Sequence, residues 1–466
     1  MQLVWFKTAD LRVNDNSALY HACSKGQTIG VFVITPRQYQ QHHDAEIKQD
    51  FWYRNLLDLS SSLNKLNIPL KILQCDSFAE LPEELLKFSQ QHEISAVHFN
   101  RQYEANESEL EQRVAAICRA QHIETHAYTD QVIFPPGSIL TGNETYYTVF
   151  TPFKKKFLSH FAMTHVQCYP QPEKQAAMNV QPDDIKPWLE HTNIRGDLWP
   201  AGEAEAVTRL TRFIKAKINA YQEQRDFPAI NGTSTLSPYL AAGVISIRYC
   251  FRTLQTAFAK SESVGVATWR SELIWREFYK HILIGFPRVS RHRPFKLETE
   301  RLSWHENAEH LAAWKKGMTG VPIVDAAMRQ MNQTGWMHNR LRMVVAMFLS
   351  KNLFLDWRLG EKYFMQKLID GDLSANNGGW QWSASTGTDA APDFRIFNPV
   401  SQSRRFDPDG DFIRRFVPEL AALDAKAIHE PWNSRDKFTH VDYPAAIVDL
   451  KSTRQYAIDQ FKQLQA

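Results

Sequence analysis

Three stretches of this sequence gather acids, amides, cations and indoles, and a fourth gathers hydroxyls, at spacings that suit work on a ligand. In Trp269-Arg-Ser-Glu-Leu-Ile-Trp-Arg-Glu-Phe-Tyr279, a helix would place Glu272, Trp275, Arg276 and Tyr279 on one face, following the i, i+3, i+4, i+7 rule. An acid, an indole and a cation side by side can stack on a nucleobase and hydrogen-bond its edge. In Trp336-Met-His-Asn-Arg-Leu-Arg-Met343 the same spacing aligns Asn339, Arg342, Met343 and Ala346. For both faces the competing reading is an ion pair between packed helices. The third stretch, Asp370-Gly-Asp-Leu-Ser-Ala-Asn-Asn-Gly-Gly-Trp-Gln-Trp382, interrupts its acids, amides and indoles with glycines. Such a run makes a poor helix interior and predicts a ligand loop; a plain surface loop would not need Trp380 and Trp382. The fourth, Gly232 to Gly243, clusters the hydroxyls of Thr233, Ser234, Thr235 and Ser237 before a helix start. Ser237 suits the N-cap and Pro238 the first helical position. Exposed N–H groups there suit an anion such as a pyrophosphate; the plain alternative is a well-capped helix.

The elements that must position these residues fall into two classes. Apolar strand-like runs at Leu3 to Phe6, Ile29 to Ile34, Leu70 to Leu73 and Ala96 to Phe99 alternate with helical patterns around Phe51 to Leu66, Ala79 to His92 and Leu110 to Ala120, and the alternation continues to about Thr125 to Tyr128. That alternation predicts a parallel α/β sheet, a Rossmann-like domain over 1–130. A Pro-punctuated stretch follows, read as a connector over 131–200 with one helical piece near Phe153 to Phe161. From Glu203 helical periodicity dominates, so 201–466 is expected to be all-α.

Bulk numbers narrow the class. The formal net charge is only +3, yet Trp269 to Lys296 holds seven basic residues (Arg270, Arg276, Lys280, Arg288, Arg291, Arg293, Lys296) against Glu272 and Glu277. Such a patch can track phosphates, or it is a solvated face. Nine of the thirteen tryptophans lie between Trp269 and Trp432, so the C-terminal half uses indoles for something. The five cysteines are far apart, odd in number and form no C-x-x-C pair, which indicates neither a disulfide framework nor a zinc site; no metal is expected. No apolar run reaches membrane-spanning length and the first residues lack a signal-peptide layout, so a cytoplasmic location is expected. There is no G-x-G-x-x-G, and Gly137 to Gly142 has Walker-like spacing but continues into Asn143-Glu144, which argues against a dehydrogenase or a kinase.

Glu272 to Tyr279, Thr334 to Met343 and Asp370 to Asp389 together match, in order, the strongest motifs of the photolyase/cryptochrome family. The chain resembles its class I cyclobutane-dimer photolyases over essentially its whole length. The resemblance implies an FAD-dependent carbon–carbon lyase acting on UV-damaged DNA. Thr233, Ser234, Thr235, Leu236 and Ser237 would hold the flavin pyrophosphate; Tyr221, Trp269, Glu272, Trp336, Asn339, Arg342, Asp370, Gly371 and Asp372 would line the FAD. Asn376 would sit beside flavin N5, where an amide favours the reduced form. Excited FADH⁻ would pass an electron to a flipped-out dimer and receive it back. Glu272 would hydrogen-bond the dimer carbonyls, Trp275 and Trp382 would flank the dimer, and Met343 and Tyr279 would lie nearby. Arg225, Arg276, Arg340 and Gln402 match positions that contact the DNA strand, and Trp304, Trp357 and Trp380 match an electron-transfer chain that photoreduces oxidised FAD.

The resemblance also implies a 5,10-methenyltetrahydrofolate antenna held by Asn106 and Glu107, with Arg291 at the same site. Two departures stand out. Ser290-Arg291 replaces a Cys-Lys pair, and the family's W-F-R-x-D-L-R appears as Trp5-Phe-Lys-Thr-Ala-Asp-Leu-Arg12, one residue longer and with Lys7 for Arg. The (6-4) photolyases carry histidines where this chain has Asn339 and Met343, so a cyclobutane pyrimidine dimer is the expected lesion. A signalling cryptochrome, the rival from another class, often adds a long C-terminal tail, whereas about 65 residues follow Pro399 here. A monomer is expected.

Overall fold

The computed structural model describes residues 1–189, 194–433 and 441–464, and these fall into two compact units. The first comprises 1–219, 234–287 and 369–372; the second comprises 220–233, 288–368 and the residues from 373 onward.

The first unit is built on a five-stranded, wholly parallel sheet: β1 Gln2–Phe6, β2 Thr28–Ile34, β3 Leu70–Gln74, β4 Ala96–Asn100 and β5 Glu124–Tyr128, ordered β3-β2-β1-β4-β5. β2 and β4 are buried along their whole length, as expected of strands covered on both faces. Crossover helices Ser17–Lys25, Glu46–Lys65, Leu81–Gln91 and Ala105–Ala120 make the parallel pairing possible. The chain steps outward one way through β2 and β3, then the other way through β4 and β5. The carboxyl ends of β1 and β4 therefore form the switch point where α/β folds bind ligands. Lys7, just beyond β1, donates from Nζ to the Asn100 carbonyl at the end of β4 (3.0 Å) and pairs with Glu111. Beyond β1 the chain makes a turn closed by Lys7 N donating to Asp10 Oδ1 at 2.7 Å. Ala9 passes so close to Gly243 (φ +62°) that a Cβ there would lie 1.8 Å from the Ala9 carbonyl oxygen.

The same unit carries the helix Val264–Gly285, capped by Ser263, whose Oγ accepts from Val266 N at 3.4 Å. Its burial follows the sequence pattern. Trp269, Leu273, Ile274 and Phe278 are buried, while Glu272, Trp275, Arg276 and Tyr279 form a half-buried face.

The second unit is helical. Ala308–Lys316, Pro322–Thr334, Asn339–Met347, Trp357–Lys367 and Leu373–Ala384 pack around a core that includes Trp314, Val324, Met328, Val345, Trp357, Phe364 and Trp380. Among the described residues no strand belongs to this unit. Asn307 and Asp356 cap their helices by accepting from His310 N (2.9 Å) and Arg358 N (3.0 Å), and Gly317 and Gly335 end Ala308–Lys316 and Pro322–Thr334 with positive φ.

Two local expectations change. Asp370 to Trp382 is not a loop: from Leu373 to Ala384 it is α-helix despite Gly378 and Gly379. Tertiary packing outweighs the glycine cost of about 1 kcal/mol each, because Trp380 is 2% exposed in the core and Asn377 and Gln381 are buried and hydrogen-bonded. Ser237 is not the cap of its short helix: Leu236 occupies that place and its carbonyl accepts from Leu240 N at 2.9 Å, leaving exposed Ser237 as the first helical residue. In the Trp336 stretch the helix itself begins at Asn339, with His338 Nδ1 accepting from Arg340 N at 3.2 Å.

Candidate functional site

In the second unit, Asn376 lies on the helix Leu373–Ala384 and donates from Nδ2 to the Glu361 carbonyl at 3.0 Å. Its Oδ1 accepts no hydrogen bond among the described residues, so the amide is fixed with its acceptor turned away from its anchor. Glu361, 1% exposed, also accepts from Asn377 Nδ2 (2.7 Å) and pairs with His292 Nδ1 (2.8 Å), an interaction that raises the His292 pKa. Sequence reasoning missed Glu361; it sits fifteen residues before Asn376, and only the packing of two helices shows the link.

Trp357, Trp380 and half-buried Trp304 belong to one hydrophobic cluster of this unit. Trp380 packs edge-on to Phe364 (5.0 Å) and Trp314 (6.0 Å), and its buried Nε1–H meets no acceptor among the described residues. Gly360 makes room for it: a Cβ there would lie 2.1 Å from the indole. Arg342 donates from Nε to the Met337 carbonyl (2.9 Å), and Asn339 and Met343 share its outward side, exposed and half-buried respectively. Trp336 is half-buried, beside His338 at 6.3 Å, and Tyr221 is buried.

The same unit brings Arg225 and Arg340 together around Asp226, at 3.8 and 2.8 Å. Each guanidinium also lies over a ring, Arg225 over Tyr221 at 5.5 Å and Arg340 over Phe406 at 4.6 Å. Asp226, which the sequence reading passed over, thus holds both cations in place. Gln402 keeps one buried acceptor, Oε1, without a partner among the described residues, while Trp382 is half-buried and Arg291 exposed on the short turn Val289–Arg291.

In the first unit, Trp275 stacks face to face on Phe150 with centroids 3.6 Å apart and planes at 9°, which fixes the indole from one side. Arg276 donates to the Gln131 carbonyl and, at 3.5 Å, to that of Leu240. Thr235 adopts φ 51° and its Oγ1 accepts at 3.2 Å from Arg209, whose guanidinium is also paired with Glu205 at 2.7 Å. Asp370 and Gly371 are buried, and Asp372 Oδ2 accepts from Lys280 Nζ at 2.9 Å. Lys280 is 0% exposed and cannot track phosphates, so that member of the basic stretch is reassigned; the other six divide between the two units. Arg270 is already paired with Glu262 at 2.9 Å.

At the switch point, Asn106 Nδ2 and His42 Nε2 are 3.0 Å apart, and Glu107 lies 3.3 Å from His42 Nδ1. Burial, and then the neighbouring Glu104, push the Glu107 carboxyl up to about 8, while burial lowers the His42 pKa. His42 was not legible in the sequence, being 64 residues from Asn106.

Two family models match the chain: one described as DNA photolyase over residues 2–174, the other as FAD binding domain of DNA photolyase over residues 269–463. The deoxyribodipyrimidine photo-lyase of Escherichia coli (strain K12) is 42% identical over 97% of this chain and 96% of its own length. That of Vibrio cholerae serotype O1 is 43% identical over 99% of each. A crystal structure of a bacterial class III photolyase from Agrobacterium tumefaciens is similar with a TM-score of 0.90 and 33% identity, covering 100% of this chain and 97% of that one.

Proposed function

The chain belongs to the DNA photolyase family, and on that premise we infer that it is a deoxyribodipyrimidine photo-lyase, using light to repair cyclobutane pyrimidine dimers in DNA. The observation that carries this reading is similarity along nearly the whole chain to proteins of that name. FAD, in its reduced form, supplies the light-driven electron that splits the dimer and takes it back.

The residues present suit that cofactor. Asn376 Oδ1, anchored from behind through its Nδ2, is an acceptor matched to a protonated ring nitrogen. Arg209, paired with Glu205 at 2.7 Å, still directs a guanidinium N–H to Thr235 Oγ1 at 3.2 Å, which puts a donor beside the turn where a pyrophosphate would bind. In this reading Tyr221, Trp269, Glu272, Trp336, Asn339, Arg342 and Asp370 to Asp372 line the cofactor. Trp380, Trp357 and Trp304 relay electrons to it, a role supported by their common cluster. An indole buried without a proton acceptor, as Trp380 is, is slow to lose its N–H proton when oxidised.

On the substrate side, Glu272 donates to or accepts from the dimer's polar edge. Trp275, braced by Phe150, flanks the dimer with Trp382, and Met343 and Tyr279 fill the space around it. Arg225, Arg276, Arg340 and Gln402 hold the strand; two arginines sharing one carboxylate keep a net positive charge for phosphate. The functional division is an antenna-binding region at 1–130, a connector at 131–200 and an FAD-binding region at 201–466. The antenna is 5,10-methenyltetrahydrofolate, supported by the polar set Asn106, Glu107 and His42 at the switch point. The protein works as a monomer in the cytoplasm; no helix among the described residues is long and apolar enough to cross a membrane.

Purified protein should be yellow and release FAD on denaturation, and an added near-UV band would report the folate. Reduced protein, illuminated with oligonucleotides carrying either a cyclobutane dimer or a (6-4) product, should repair only the first. Repair of the (6-4) lesion alone would overturn the reading based on Asn339 and Met343.

A further inference from the structure

Lys280 sits on the inner side of the helix Val264–Gly285 with no exposed surface. An ammonium taken out of water is strongly disfavoured unless anions replace its hydration. Two carboxylates of the same unit do so: Asp372 Oδ2 at 2.9 Å and Glu104 Oε1 at 3.8 Å, with side chains only 15% and 16% exposed. The other acid close to it on this helix, Glu277, is pushed up to about 8 by burial and stays protonated at neutral pH, so it does not compete for the cation. Glu104 is itself fixed. Its Oε2 accepts from Tyr103 N at 3.0 Å, and it is the cap residue of the helix Ala105–Ala120, which packs beside β5. The ammonium is therefore tethered to the sheet scaffold on one side and to Asp372 on the other.

We propose that Lys280 is a positioning residue for the flavin, holding Asp372 in place and cancelling its charge where the reduced, anionic cofactor must bind. The proposal rests on the reading of Asp370 to Asp372 as flavin-lining. With Lys280 present one cation stands against the two half-buried carboxylates of Asp372 and Glu104; without it the negative charge it offsets would face an anion. Like charges in a poorly solvated site repel strongly, so the loss falls on reduced FAD more than on oxidised FAD. By linkage, a weaker hold on the reduced form relative to the oxidised form is a more negative midpoint potential.

The test is the midpoint potential of bound FAD, together with the dissociation constant of oxidised FAD, in the wild type, Lys280→Met and Lys280→Arg. Lys280→Gln, which keeps a hydrogen-bond donor without the charge, serves if the Met variant does not fold. The neutral variants should shift the potential negative by the equivalent of at least a ten-fold change in the ratio of the two affinities, and Lys280→Arg should stay near the wild type. A potential unchanged in the neutral variants, with only thermal stability lowered, would make Lys280 a packing residue and overturn the proposal. Wild-type protein that takes up no FAD would instead sink the flavin reading on which the proposal stands.

Discussion

Replacing Gly360 by alanine tests whether the position of Trp380 matters as the structure implies. Gly360 lies inside the helix Trp357–Lys367, where alanine would ordinarily stabilise by about 1 kcal/mol. Here the added Cβ would lie 2.1, 2.5 and 2.6 Å from Trp380 Cη2, Cζ3 and Cζ2, far inside the ~3.5–4.0 Å of a carbon–carbon contact. The indole is 2% exposed and backed by Phe364 and Trp314, so it cannot swing aside freely. Overpacking of this kind costs about 1–3 kcal/mol. Three ring atoms are struck at once, which places Gly360→Ala near the upper end, and subtracting the propensity gain leaves a net loss of about 2 kcal/mol. Urea unfolding of the holoprotein measures the loss, and the rate of FAD photoreduction under blue light measures the displacement of the relay indole. A variant about 1 kcal/mol more stable than the wild type, with an unchanged photoreduction rate, would refute the reasoning, because only the propensity term would then be acting.

Asn376→Asp puts a carboxylate where the amide now offers a neutral acceptor, and should weaken retention of reduced FAD by ten-fold or more; equal retention by the two proteins counts against Asn376 as the N5 partner. Trp304→Phe should abolish photoreduction of oxidised FAD yet spare repair by chemically reduced protein, and loss of repair under both conditions would show that Trp304 acts otherwise. His338 is held neutral in the folded chain, its pKa lowered to about 4 chiefly by burial, whereas an unfolded histidine titrates near 6.5. The unfolded state therefore takes up a proton first as the solution is acidified. The stability that His338 contributes is complete above pH about 6.5 and declines from there toward pH about 4. The unfolding free-energy difference between wild type and His338→Gln should shrink across that window, and a difference that stays constant would contradict the assignment.

Much of this was legible in the sequence. β2 could be read because Ile29 to Ile34 is apolar without interruption, the mark of a strand covered on both faces, whereas the half-buried β3 and β5 rested on their alternation with helices. The half-buried face Glu272, Trp275, Arg276 and Tyr279 followed from helical spacing alone. The helix Leu373–Ala384 did not, because its glycines and amides argue locally against helix and are outvoted only by Glu361 and the aromatic core. The residues missed share one property: each acts through a contact distant in sequence. Phe150 braces Trp275, His42 meets Asn106, Asp226 joins Arg225 to Arg340, and Lys280 reaches Asp372 across 92 residues. Local pattern carries no trace of such pairs, and the charge count around Lys280 pointed to solvent when the side chain is wholly buried.

The most direct test of light-driven dimer repair is a count of thymine dimers remaining in a defined oligonucleotide after incubation with reduced holoprotein, illuminated with near-UV to blue light or kept dark. Light-driven repair predicts dimers split back to separate thymines only in the illuminated sample, with more dimers repaired than protein molecules present. Equal dimer counts in light and dark, from protein that carries reduced FAD and binds the oligonucleotide, would contradict it.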